Sequence, residues 1–246
     1  EDGGNTPGQL VDASSLAAAK AGSFPGRAEI SYVIPYRTDT TAAFVIRLLQ
    51  DGVRVNVASK TLNAGGRNWP AGTFVIRVSR NDESVHDEVK RLAESMGVNV
   101  AAVNSGFADE GDTGVGGESV VSLRSPKIVV AADEGVDQTS FGSIWWTLDR
   151  FGIEFTPMSI RSIRSGGLKD HTVLIIPDGS PGQLMSQFGS SGVSALKDWV
   201  ADGGTVVTIR GASVFATLKD VGLTSSRLVG SSDDEKKDVP DAATKS

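Results

Sequence analysis

Cysteine is absent from the 246 residues. That one gap excludes a disulfide scaffold, a thiolate metal site and a cysteine nucleophile. Histidine is scarce, with only His86 and His171, so no three-histidine metal site can form. Neither His86-Asp-Glu-Val nor His171-Thr-Val-Leu matches His-Glu-x-x-His or His-x-x-Glu. Long apolar runs are missing too. The longest stretches, such as Ile128 to Ala132 and Val173 to Pro177, are strand-sized, far below the ~18 residues of a membrane span. Basic side chains are in deficit, 24 against 30 acidic ones, for a net charge of −6. This argues against a nucleic-acid partner, which needs a concentrated basic face. The first residue is Glu1 and no signal-peptide pattern follows it, which suggests a processed chain or an excised piece.

Hydrophobic residues make up 39% and charged residues 22%, as in soluble globular proteins. The length corresponds to about one to two domains. Residues 1–27 are rich in Gly, Ser, Ala and Pro and read as a flexible lead-in, with a helical turn or two near Leu16 to Ala21. Residues 231–246 contain Ser-Ser-Asp-Asp-Glu-Lys-Lys-Asp and read as a polar tail.

Two α/β units are expected between these ends. The first, a small α/β domain over 28–122, opens with the strand Ile30-Ser-Tyr-Val-Ile. Asp39 or Thr40 can cap the helix that follows, which Asp51-Gly52 ends. Thr73 to Val78 is another strand. Val85, Val89, Leu92, Ala93 and Met96 mark a second helix, closed by Gly97. On that charged helix His86 reads as exposed. The second unit, over 123–230, contains Ile128-Val-Val-Ala-Ala, the signature of a strand covered on both faces. A helix from about Thr139 to Phe151 follows, then strands at Glu154, Val173 and Thr205, with a helix over Val193 to Ala201. Strands alternating with helices at these lengths predict a doubly wound parallel sheet.

In such sheets ligands bind beyond the carboxyl ends of the strands. Three loops qualify: Asp133-Glu134-Gly135, Asp178-Gly179-Ser180 and Arg210-Gly211-Ala212-Ser213. Two carboxylates near an arginine can hold a polar ligand, or the arginine can simply neutralise them. Asp133, Glu134, Asp178, Arg210 and Ser213 are therefore the candidate ligand-binding residues. None is assigned a catalytic role. Gly211-Ala-Ser213-Val-Phe lacks the second glycine of the Gly-x-Ser-x-Gly elbow, and Ser213 reads as a helix cap. Gly111 to Ser119 is glycine-rich, but Gly117-Glu118 stands where a phosphate loop needs a cation. The pairs Asp109-Glu110 and Asp133-Glu134 lack an EF-hand pattern, so no metal ligands are assigned. Trp145, Trp146 and Trp199 read as core. Trp69 either packs over a sheet edge or joins Tyr36 and Arg37 in a recognition rim.

Four stretches of the second unit resemble the class I glutamine amidotransferase-like, flavodoxin-like fold. They are Pro126-Lys-Ile-Val-Val-Ala, the helix through Trp145, Val173-Leu-Ile-Ile-Pro-Asp-Gly, and Leu196-Lys-Asp-Trp-Val-Ala-Asp-Gly-Gly-Thr-Val-Val-Thr-Ile. In that superfamily the strand after Gly-Gly leads to a strained elbow bearing a cysteine nucleophile. Arg210 stands at about that position here, so the resemblance supports the fold and not the chemistry. Upstream, Tyr32-Val-Ile-Pro, Gly66-Arg-Asn-Trp-Pro-Ala-Gly-Thr-Phe-Val-Ile and Asn104-Ser-Gly are similar to the region downstream of the peptidase domain in large bacterial zinc carboxypeptidase-like proteins. The resemblance covers roughly residues 28 to 230. It implies a non-catalytic accessory region of an exported metallocarboxypeptidase-like hydrolase, in a periplasmic or extracellular setting. The region would support the upstream peptidase domain or bind substrate. Zinc is implied for that upstream domain alone, and this chain is expected to carry no cofactor. The resemblance also implies that the amidotransferase-like unit is truncated after its elbow. The alternative expectation is a small-molecule module that binds a sugar or peptide at the strand-end loops. No nucleic acid and no membrane span are expected.

Overall fold

A computed structural model describes residues 22–105 and 114–229. The chain divides into two compact units. One runs through Ser125 and includes Phe151–Ile153, and the other comprises Pro126–Arg150 with the chain from Glu154 onward.

The first unit contains strands β1 (Ser31–Ile34), β2 (Asn56–Ala58), β3 (Leu62–Ala64), β4 (Arg67–Trp69), β5 (Phe74–Arg77), β6 (Ala101–Val103) and β7 (Val120–Ser122). Its α-helices are α1 (Asp39–Gln50) and α2 (Val85–Met96). The order β6-β1-β5-β2-β7 forms a five-stranded sheet whose four pairings are all antiparallel. The small hairpin β3-β4 stands apart, turning through Gly65 and Gly66, both at positive φ. Thr38, one residue before the expected caps, closes the start of α1 by accepting the Thr41 N–H. Gly97 ends α2 in the left-handed conformation. Phe44, Leu48, Val89 and Leu92 from the helices meet Tyr32, Ile34 and Ile76 of the sheet in one core. The other sheet face packs Val33 and Val75 against Leu62 and Trp69.

His86 lies in that helix–sheet interface and not on an exposed face, at 5% exposure. Tyr32 explains this, because its hydroxyl oxygen sits 2.6 Å from His86 Nδ1 and also accepts the Ala28 N–H at 3.2 Å. A buried imidazole needs such a partner, and periodicity on α2 alone does not reveal one across the sheet.

The second unit holds strands β8 (Ile128–Ala132), β9 (Phe155–Ser159), β10 (Val173–Ile176) and β11 (Thr205–Thr208). Its longer helices are α3 (Gln138–Arg150), α4 (Pro181–Ala201) and α5 (Gly211–Thr217), and two short helical segments, Ile160–Ser162 and Ile163–Gly167, follow β9. All pairings are parallel, in the order β11-β10-β8-β9. The chain therefore steps outward from β8 to β9, returns past β8 to β10, and continues to β11. Strand alternation divides the side chains: Val129, Ala131, Leu174 and Ile176 face the core under α4 and α5, with Leu184, Phe188 and Phe215. α4 is two helical segments that meet at Gly189, whose φ 60° and ψ 175° are not helical, and the sequence pattern marks only the second. That residue interrupts the helical period, which hides the segment before Val193 from a pattern search.

The opposite face is less covered. Ile175 and Val207 are adjacent in register, and Val207 is an exposed apolar residue. α3 lies against β8 but contains no fully buried residue. Trp145 and Trp146 are 43% and 59% exposed, so they are not core. They are held at the surface by neighbours: Trp145 edge-on to Phe155, and Trp146 beneath the Arg150 guanidinium. Trp199 is half-buried and donates its indole N–H to Leu168 O. Trp69 is buried and donates to Ala64 O at 3.0 Å, while Tyr36 is exposed and edge-on to Phe74. No described helix is long and apolar enough to cross a membrane.

Candidate functional site

The parallel sheet reverses direction of growth between β8 and β10, which is where open α/β sheets offer a crevice. Three glycines let the loops above that edge close on one another. A Cβ on Gly179 would run into Gly135 O, and one on Gly211 would run into Gly179 O and the Asp178 carboxylate. Backbone therefore packs on backbone, with Gly135 itself at φ 98°.

Asp178 organises this crossing. Its Oδ1 accepts the N–H of Gly179 at 2.8 Å and the N–H of Gly211 at 2.9 Å. Its own N–H is bonded to Ser140 Oγ, and its carbonyl accepts the Asp137 N–H. Asp137 in turn caps α3 by accepting the Ser140 N–H at 2.7 Å.

Arg210 occupies the turn from β11 into α5 with φ 50° and ψ −111°. Such a conformation is strained for any residue with a Cβ and costs about 1–3 kcal/mol. It projects the side chain outward at 82% exposure, with Nε 3.4 Å from Asp178 Oδ2. An ion pair this exposed contributes little to stability. A guanidinium is permanently charged and offers five N–H donors. It can recognise a carboxylate or phosphate, but it is no nucleophile.

The five residues singled out from sequence fall into three places. Asp178 and Arg210 line an apolar-walled cavity of about 530 Å³ with Ile144, Leu148 and Ile175. Asp133 and Glu134 line a separate polar cavity of about 550 Å³ beside β9. Ser213 belongs to neither. It lies inside α5 and is not its cap, and its hydroxyl donates to Thr208 O at 3.0 Å. His171 is placed away from it, before β10, with Nδ1 3.1 Å from Gly167 O. The sequence reading missed Arg161, Arg164 and Gln187, which share the polar cavity with Asp133 and Glu134. Their signal is weak, since no motif marks two arginines three residues apart.

Among the described residues no group of three or more His, Cys, Asp or Glu side chains is placed to hold a metal ion. The pair Asp109-Glu110 and the start of the Gly111–Ser119 segment lie outside the described residues. No protein-family model matches the chain, and no curated protein matches it significantly.

Proposed function

We propose that this chain is a non-catalytic accessory region of an exported zinc carboxypeptidase-like protein, supporting the upstream peptidase domain or binding its substrate. The reading takes the second unit as flavodoxin-like and class I glutamine amidotransferase-like. The order β9-β8-β10-β11 supports this, since it is the first four strands of that arrangement. Zinc enters only through the upstream domain.

One observation carries the non-catalytic part. Acyl transfer at an elbow needs a nucleophile and two N–H donors for the oxyanion, one of them from the residue after the nucleophile. Here the elbow residue is Arg210. The N–H after it, on Gly211, is already donated to Asp178 Oδ1, which also takes the Gly179 N–H. That N–H is therefore already engaged by a side chain of the protein, which supports the non-catalytic reading.

The complete reading frame tests the assignment. A His-x-x-Glu plus distal His peptidase domain upstream of Glu1 is expected. A frame without one removes the carboxypeptidase part of the reading and leaves the elbow argument untouched. A second reading, a sugar- or peptide-binding module, is favoured by the two cavities along the strand ends.

A further inference from the structure

The polar cavity beside β9 carries an arrangement independent of the elbow. It lies at the other end of the same strand-end rim. Two guanidinium groups, Arg161 and Arg164, and two carboxylates, Asp133 and Glu134, line about 550 Å³. That volume is within the ~300–1,000 Å³ of small-molecule pockets. Among the described residues these four charges form no ion pair with one another, although they share one cavity. Gln187 stands between the two signs. Its carbonyl accepts from Arg164 at 3.0 Å, and its side-chain amide donates to Glu134 Oε2 at 3.3 Å. The scaffold holding them is tight. Asp133 has φ 70°, and a Cβ on Gly135 would press on Gln187 and Ile160 at 3.3 Å. Gly192 of α4 leaves room for the Arg164 Cβ, which a methyl group there would meet at 2.9 Å. Ile160, almost fully buried, contributes an apolar wall.

We infer that this cavity binds a small zwitterion, with its carboxylate at Arg161 and Arg164 and its ammonium group at Asp133 and Glu134. A simple anion would meet two carboxylates, and a simple cation would meet two guanidinium groups. A molecule carrying both charges satisfies both sets with charge-assisted hydrogen bonds. Free amino acids and peptides with separated termini share this chemistry.

The test titrates the whole chain by calorimetry with glycine, β-alanine, 4-aminobutyrate, 6-aminohexanoate and dialanine. Acetate, methylammonium and inorganic phosphate serve as single-charge probes. At least one zwitterion is expected to bind at least tenfold more tightly than every single-charge probe. The preferred spacing distinguishes an α-amino acid from a peptide. Arg161→Gln and Glu134→Gln should each weaken that zwitterion at least tenfold without changing the melting temperature of the free protein, whereas Arg210→Gln should not weaken it. The inference is overturned if no zwitterion binds, if any single-charge probe binds as tightly, or if either cavity variant retains full affinity. None of these outcomes bears on whether the elbow is catalytic.

Discussion

One oxygen of Asp178 accepts the backbone N–H of Gly211 at 2.9 Å and thereby ties the end of β10 to the turn after β11. The same oxygen takes the Gly179 N–H, so a single side chain fixes two loops. Asp178→Ala leaves both donors without their partner. It should cost about 1–3 kcal/mol, read as a lower urea midpoint. Asp178→Asn keeps one acceptor oxygen and should cost less than the alanine variant. Equal losses would mean that charge, not the acceptor geometry, holds the turn.

Glycine packing in the same place gives a sharper contrast. Gly211→Ala forces a methyl group against Gly179 O and the Asp178 carboxylate. It should destabilise by about 2 kcal/mol or more, as overpacking does. Gly142→Ala in α3 meets open space and should stabilise by about 0.5–1 kcal/mol through helix propensity. Chemical denaturation of the two variants side by side checks both signs.

The elbow strain makes its own prediction. Arg210→Gly removes the penalty of φ 50° and loses only an exposed ion pair. The gain of about 1–3 kcal/mol from strain relief exceeds the roughly 0.5–1 kcal/mol entropic cost of glycine. Stability should therefore hold or rise, while Arg210→Val should lower it.

Burial raises the Tyr32 phenol above its ordinary pKa of 10, only partly offset by the Ala28 N–H. The folded state therefore holds this proton more tightly than the unfolded chain does. Its contribution to stability is complete below about pH 10 and is lost as pH rises through the raised value. Tyr32→Phe should abolish that alkaline component. It should also cost about 1–3 kcal/mol at neutral pH, because His86 Nδ1 loses its partner. Denaturation midpoints between pH 7 and 11 for both proteins measure the difference.

The tryptophans separate surface from core. Trp69→Ala should cost about 3–5 kcal/mol, as deletion of a buried indole does, while Trp146→Ser should stay within about 0.5 kcal/mol.

The strands of the second unit are legible because β8 is a continuous apolar run and because Gly152 and Gly203 mark the ends of α3 and α4. Val173 and Thr205 begin strands as the pattern indicates. The antiparallel pairing of the first unit was not legible, since local alternation does not specify direction. The burial of His86 is hidden from the sequence because its partner, Tyr32, is 54 residues away. Trp145 and Trp146 were misread because helical spacing identifies an apolar stripe but not whether anything covers it. At the candidate site, strand-end logic selects Asp133, Glu134, Asp178 and Arg210, which line cavities, and Ser213, which lines neither of those two. It could not show that two cavities divide the first four, because that depends on where the short helical segments after β9 place Arg161 and Arg164 and where α4 places Gln187.

Turnover by the intact chain tests the non-catalytic reading most directly. Glutamine and C-terminal peptide substrates are incubated with it, with and without added zinc, and released ammonia and amino acids are quantified. The account predicts no product above the protein-free blank in either condition. Zinc-dependent release of a C-terminal residue, or glutamine hydrolysis that disappears in Arg210→Ala, would contradict it.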